Sequence, residues 1–298
     1  MKYAKAVLLA VSQIVSYPIF GAEATIAASE SINDAQAQFD RELSLLKGDG
    51  DLVKAVECFR KGADKGVAEA QYCLAHCYYS GNGVKQDFKQ AIDWLLKAGA
   101  QGYTLAQNDL GACYQKGAGV ALDYTQALQW YQKAADQGLD VAQWNLGLCY
   151  LKDQGGSTNP KLGFDWIKKA ANQGFIPAQF DLGLCYFCGE GVPVNKPEGF
   201  NWYLKAAEQG SADAQNNVAV SYLNGDGIAQ DKAKAIEWFK KAAEQEQKDA
   251  QFSLAICYFK GTGVKSDSTE GVKWLEKAAG NNNQAAKSLI NDFNKKYK

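Results

Sequence analysis

The sequence predicts an all-α fold, a right-handed solenoid of helix–turn–helix units stacked on a 36-residue period. Three observations carry this. The string Leu146-Gly147-Leu148-Cys149-Tyr150 returns at that spacing as Leu74 to Tyr78, Leu110 to Tyr114, Leu182 to Tyr186, Val218 to Tyr222 and Leu254 to Tyr258. Trp94, Trp130, Trp166, Trp202, Trp238 and Trp274 keep the same period, each followed three residues later by a Lys-Ala pair. Gly83, Gly119, Gly155, Gly191, Gly227 and Gly263 punctuate the chain between them. A fixed period of about 20–50 residues marks a stack of supersecondary units, each burying its apolar face against the next.

The elements follow in order. Met1-Lys2-Tyr3-Ala4-Lys5 is a short basic start, Ala6 to Phe20 is largely apolar, and Ala22-Glu23-Ala24 fits a small-x-small cleavage site. Residues 1–24 therefore read as a removable signal peptide, with a retained N-terminal anchor as the alternative. Residues 25–36 read as a loose leader. A degenerate first repeat (37–66) keeps the second helix, Ala55 to Ala63, but lacks the five-residue string. Repeats follow near 67–102, 103–138, 139–174, 175–210, 211–246 and 247–282, and a capping helix fills 283–298. Atypical end repeats suit a stack whose outer faces meet water.

Thr104 to Gly138 shows the unit. Ala106, Leu110, Cys113 and Tyr114 recur at helical spacing, and Lys116 to Val120 is a glycine break. Asp123 stands where a second helix needs its N-cap, and Gly138 supplies a left-handed stop. The residue after the column leucine is always small, so two helix backbones approach closely there. One stretch departs: Asp153 and Gly156 replace the loop glycine and valine of the 139–174 repeat. Sequence drift and a contact loop both remain open for it.

Charge and composition exclude some functions. The formal net charge is −1, with 47% hydrophobic and 22% charged residues. No basic stripe with interleaved aromatics suggests nucleic acid, and no later segment is apolar enough for a membrane span in the mature chain. Eight cysteines behind a signal peptide would suggest disulfides. However, Cys77, Cys113, Cys149, Cys185 and Cys257 share one column, where stacked helices sit about 8–10 Å apart. A disulfide needs Cα atoms within about 7 Å, so that column reads as small buried side chains. Cys58 and Cys73 lie off it and are the best disulfide candidates. No metal site or cofactor is expected: His76 stands alone, and Cys185-x-x-Cys188 falls at the wrong end of a helix to acidify a thiol. Gly-x-Gly recurs in most units and is a turn device. No nucleophile elbow is present, so an enzyme is not expected.

Ala106 to Gly138 resembles the Sel1-like repeat, a relative of the tetratricopeptide repeat, almost position by position, and the resemblance covers about 37–293. It implies a binding module, as in signalling adaptors, secretory-pathway quality control and secreted bacterial proteins that meet a host. A cysteine-rich bacterial branch carries a disulfide in each repeat, and some of its members bind penicillin. Here those positions read Ala135 and Gln143, or Ala171 and Gln179, so this chain departs from that branch.

The first helix of each repeat has a second apolar face. Counting the alanine of Ala-Gln as zero, positions 2, 6 and 9 lie at ~200°, ~240° and ~180° on the wheel, away from the core. They carry Tyr72, His76 and Tyr79; Trp144, Leu148 and Leu151; Phe180, Leu184 and Phe187; Phe252, Ile256 and Phe259. Asn108 and Asn216 are the polar exceptions, suited to fixing the register of a bound backbone. By the resemblance, these positions line the concave face and form a groove for a partner peptide or helix. Packing against neighbouring repeats is the alternative. The expected function is an exported protein–protein interaction scaffold, periplasmic or secreted, acting in host interaction if its source is a host-associated bacterium. A periplasmic adaptor of a cell-envelope enzyme comes second, and a weak penicillin-binding hydrolase is the alternative of another class.

Overall fold

A regular alternation of caps defines the helices. Asp87, Asp123, Asn159, Asn195, Asp231 and Asp267 each accept a hydrogen bond from a backbone N–H in the first turn that follows. This satisfies a donor that a helix start otherwise leaves unpaired. The backbone N–H of each of these residues in turn donates to the column tyrosine of the preceding helix, from Tyr78 O to Tyr258 O, and closes the loop.

The computed structural model describes residues 34–40, 52–152 and 158–296, with side chains as far as 292. Among them every regular element is an α-helix. The division into two compact units falls between Ala142 and Gln143. The first holds α1 (residues 34–40), α2 (Leu52–Asp64), α3 (Ala68–Ser80), α4 (Phe88–Ala100), α5 (Thr104–Lys116) and α6 (Tyr124–Asp136). After α7 (Asp140–Leu151), which begins just before the division, the second holds α8 (Pro160–Asn172), α9 (Ile176–Cys188), α10 (Lys196–Glu208), α11 (Ala212–Asn224), α12 (Lys232–Glu244), α13 (Lys248–Lys260), α14 (Ser268–Gly280) and α15 (Gln284–Lys296). In each unit, chain neighbours pack as antiparallel pairs. The signal peptide, the leader as far as residue 33, and the irregular loop at 153–157 lie outside the described residues.

The core follows the sequence columns. In the first unit Leu74 and Leu110 are fully buried, and in the second Leu146, Leu182, Val218 and Leu254 are. Gly111 faces Tyr131, and Gly183 faces Tyr203, at contacts where a methyl group would lie 2.6 Å from the ring. The missing side chain on one helix is filled by a large one on its pair. The tryptophans of the second helices carry lysines over their rings, from Lys97 on Trp94 at 3.6 Å to Lys277 on Trp274 at 4.3 Å. Each such pair contributes on the order of 0.5–1 kcal/mol.

Within each unit, buried glutamines of the first helices tie three helices together. Gln215 Nε2 donates to Ala207 O at 3.1 Å, and its Oε1 accepts from Gln245 Nε2 at 2.8 Å. Gln107 does the same between Gly99 O and Gln137, and Gln251 between Ala243 O and Asn281. Glutamine is long enough to reach back eight residues, and it supplies a donor and an acceptor on one group.

The cysteine column is buried, and burial pushes its thiols up, to about 11 for Cys77, Cys113 and Cys149 and about 12 for Cys185. The expected Cys58–Cys73 disulfide is not formed. Both are thiols in one apolar cluster with Phe39, Val56 and Phe59, where a small apolar group fills space on its own account.

Where most units turn on a glycine with positive φ, such as Gly174 and Gly210, the next carries Glu246 at φ 64. That conformation costs an L-residue about 1–2 kcal/mol. Replacing Glu246→Gly is expected to stabilise the second unit by about 0.5–1 kcal/mol, after allowing for glycine's greater freedom when unfolded. Urea unfolding of the pair of proteins checks this.

Candidate functional site

On the second, non-core face of the first helices, the side chains predicted for a groove sort into three kinds. At position 9, Leu151 lies against Gly163, Phe187 against Gly199 and Phe259 against Gly271, where a methyl group would lie 2.9 Å, under 2.5 Å and 2.5 Å from them. Phe187 is also stacked on Tyr203, with centroids 5.1 Å apart. These three pack into the seam between the two helices of their own repeat and stay half-buried. Tyr79 meets no such glycine. It stands 39% exposed, with its ring edge-on to Phe88 at 5.2 Å.

At position 2 the aromatics are half-buried, two of them against the next repeat and two against the second helix of their own. Tyr72 lies 5.1 Å from Tyr103, and Trp144 lies 5.7 Å from Phe175. Phe180 leans over Tyr203 at 5.5 Å, and Phe252 is half-buried beside Leu275. Trp144 and Phe180 are thus neither fully buried nor free of neighbours. Asn216 is half-buried too. Its Nδ2 reaches Asn217 Oδ1 at 3.5 Å, while its own Oδ1 is buried with no hydrogen-bond partner.

At position 6 the side chains are the most open. His76 is exposed, Leu184 is 40% exposed, and Leu148 and Ile256 are half-buried.

Two carboxylates that the helical wheel did not single out lie among these side chains. In the first unit, Asp109 Oδ2 is 2.8 Å from His76 Nε2, its Oδ1 accepts from Asn108 Nδ2 at 3.3 Å, and Tyr72 also hydrogen-bonds to it. In the second unit, Asp181 Oδ2 accepts from Trp144 Nε1 at 2.6 Å. Burial raises the Asp181 pKa, and the Trp144 bond and the nearby Lys152 offset this only in part. Position 3 sits at the border of core and surface on the wheel. The signal that could have found these residues is their recurrence 72 positions apart, each acid 37 residues after an aromatic donor.

The sign of the Asp181 shift has a consequence. A carboxyl whose pKa is raised on folding favours the folded state below its unfolded value of about 3.9, and that contribution is lost as pH rises through the folded pKa. Asp181→Asn, which keeps the acceptor for Trp144, is therefore expected to resist urea better than the parent at pH 7. The difference should close as the pH is brought below 4, which urea melts across that range would record.

Each unit carries apolar rings or branched side chains around one held carboxylate, Asp109 in the first and Asp181 in the second. In the first unit a cavity of ≈ 190 Å³ opens beside His76, Tyr79 and Asp109. Among the described residues, no group of three or more His, Cys, Asp or Glu side chains is gathered to hold a metal. Nor is any helix among them long and apolar enough to cross a membrane.

Comparison with known proteins agrees with the fold. The Sel1 repeat model matches seven times, at 42–67, 68–103, 104–139, 140–175, 176–211, 212–246 and 248–283. No curated protein matches. Among solved structures, the chain is 37% identical to a protective antigen present in uropathogenic Escherichia coli strains, with a TM-score of 0.75 over 78% of this chain and 50% of that one. It thus spans half the length of that protein. It is 28% identical to a Sel1 repeat protein from Oxalobacter formigenes, with a TM-score of 0.69 over 83% of this chain and 96% of that one. With seven repeats in phase over most of its length, and helix pairs like theirs, the chain belongs to the Sel1 repeat family, whose solenoids are protein-interaction scaffolds.

Proposed function

We propose that this protein is a non-enzymatic scaffold, exported through residues 1–24, which binds a protein partner in a groove along the second, non-core face of its first helices. The partner is taken as a peptide or helix, and the setting is host interaction. One observation carries the reading. Leu184 is 40% exposed and Leu148 half-exposed, and they share a face with the half-buried Trp144 and its carboxylate partner Asp181. Apolar side chains held open around a desolvated carboxylate do not contribute fully to stability, and such arrangements are enriched where a partner completes the burial. The face comprises Tyr72, His76, Tyr79, Asn108, Trp144, Leu148, Phe180, Leu184, Asn216, Phe252 and Ile256, together with Asp109 and Asp181. The description of the E. coli relative as a protective antigen favours an exported setting, since an antigen must be reachable from outside the cell.

The experiment is capture of partners from fractionated source cells on the immobilised chain beginning at residue 25, beside a Trp144→Ala, Leu184→Asp double variant. A partner from the periplasmic or extracellular fraction is expected, with binding reduced at least tenfold in the variant. A partner held equally by both proteins, or none from any fraction, counts against the reading.

A further inference from the structure

The first unit holds its cavity of ≈ 190 Å³ beside α3 and α5. That is smaller than the ~300–1,000 Å³ of sites for drug-sized ligands and suits a single side chain. Its lining is apolar at Ala75, Leu95, Ala112 and Cys113, and it carries the charges of Asp109 and Lys116. Both charged residues belong to α5, seven positions apart. Seven helical residues span ~10 Å, and an extended chain covers ~10 Å in three residues.

The two charged groups match what a peptide backbone offers at that spacing. A carboxylate accepts an N–H, and an ammonium donates to a carbonyl. Asp109 is held in place for this by His76 at one oxygen and Asn108 at the other. Tyr72 occupies the third of its roughly four lone pairs, which leaves one to accept from a partner. A backbone N–H at Asp109 and a carbonyl at Lys116 leave the residue between them over the apolar lining.

We propose that this cleft is the specificity pocket of the binding face: it takes one aliphatic side chain of an extended partner segment, whose flanking N–H and C=O groups are read by Asp109 and Lys116. The proposal rests on the peptide-binding reading above and sharpens it to one pocket and one kind of occupant. An apolar cleft bounded by an acceptor and a donor complements an extended chain, whose backbone groups are unpaired. It is a poorer match for a helix, whose backbone groups are already paired.

The test begins with a random dodecamer peptide library displayed on phage and selected against the full chain. The most enriched peptide is then synthesised, and its affinity is measured for the parent, Ala112→Phe, Lys116→Glu and Leu184→Asp. Ala112→Phe fills the cleft. Lys116 is exposed, so its reversal leaves the core untouched and keeps the result readable if the phenylalanine variant misfolds by circular dichroism. The expected result is one invariant aliphatic position in the selected peptides. Affinity should fall at least tenfold in Lys116→Glu and in folded Ala112→Phe, and again when that aliphatic residue is changed to glycine. Peptides that ignore both cleft variants but are lost in Leu184→Asp overturn the pocket and leave the binding face standing. Selection of no peptide over the empty display vector overturns both.

Discussion

Gly191→Ala is expected to be the most damaging single-methyl change in the second unit, costing about 2–5 kcal/mol in urea unfolding. Two costs add. Gly191 has φ +74, where an L-residue is disfavoured by about 1–2 kcal/mol. The new Cβ would also overlap the backbone carbonyl of Pro160 and lie 2.8 Å from Phe164 Cβ. Neither can move without shifting the start of α8, and overpacking of that kind costs about 1–3 kcal/mol. Gly174→Ala is the control. Its φ is +91, and nothing lies within 4 Å of the added methyl, so only the backbone cost applies. If the two variants lose the same stability, the loop is not seated on the preceding repeat as described. Gly227 and Gly263 stand close to the backbone of Lys196 and Lys232 too, though less tightly than Gly191 to Pro160, so the second loop glycine is the point where one repeat rests on the previous one.

Changes at the buried glutamines come next. Gln215→Leu should cost about 1–3 kcal/mol. It leaves Ala207 O without its partner in a place closed to water, while the amide of the exposed Gln245 can turn to solvent. Gln215→Glu should cost more at neutral pH, about 3–5 kcal/mol, because an ionised carboxylate has no proton to give Ala207 O and is buried besides. That loss depends on pH with a fixed sign. The introduced carboxyl titrates near 4.3 when unfolded and higher when folded. Its protonated form, which can donate to Ala207 O, restores stability below ~4.3, and the stability is lost again as pH rises through the folded pKa. The leucine variant should show no such recovery, and urea melts of both at pH 4 and pH 7 separate the two.

How far the sequence could be read depended on whether a residue's partner shares its helix wheel. Leu146, Cys149 and the tryptophan column are legible because burial repeats with the helix period. The caps Asp123 and Asp231 are legible because capping is local. The contact of Leu151, Phe187 and Phe259 with the paired helix was hidden for a physical reason. A wheel separates core from the opposite face, but it cannot say whether that face meets water or the second helix of the same repeat. The missing signal lay twelve residues on. Gly163, Gly199 and Gly271 occur where Leu151, Phe187 and Phe259 need room, while Ala91 follows the more open Tyr79. Asp109 and Asp181 escaped because an acid at the edge of a helix face reads as an ordinary surface charge until its partner is known. That partner, Tyr72 or Trp144, comes from the preceding repeat. Cys58 and Cys73 share one apolar cluster without being joined, and spacing in sequence cannot separate a shared core from a bond.

Photo-crosslinking shows directly whether a protein partner lies on the non-core face of the first helices. A photo-crosslinking phenylalanine analogue is placed at Leu184 on α9 or at Lys240 on the exposed side of α12, and each protein is irradiated in extract of the source cells. The account predicts a discrete crosslinked species from position 184 that the Asp181→Ala background weakens, and none from position 240. Crosslinks from position 240 with none from 184 would contradict it.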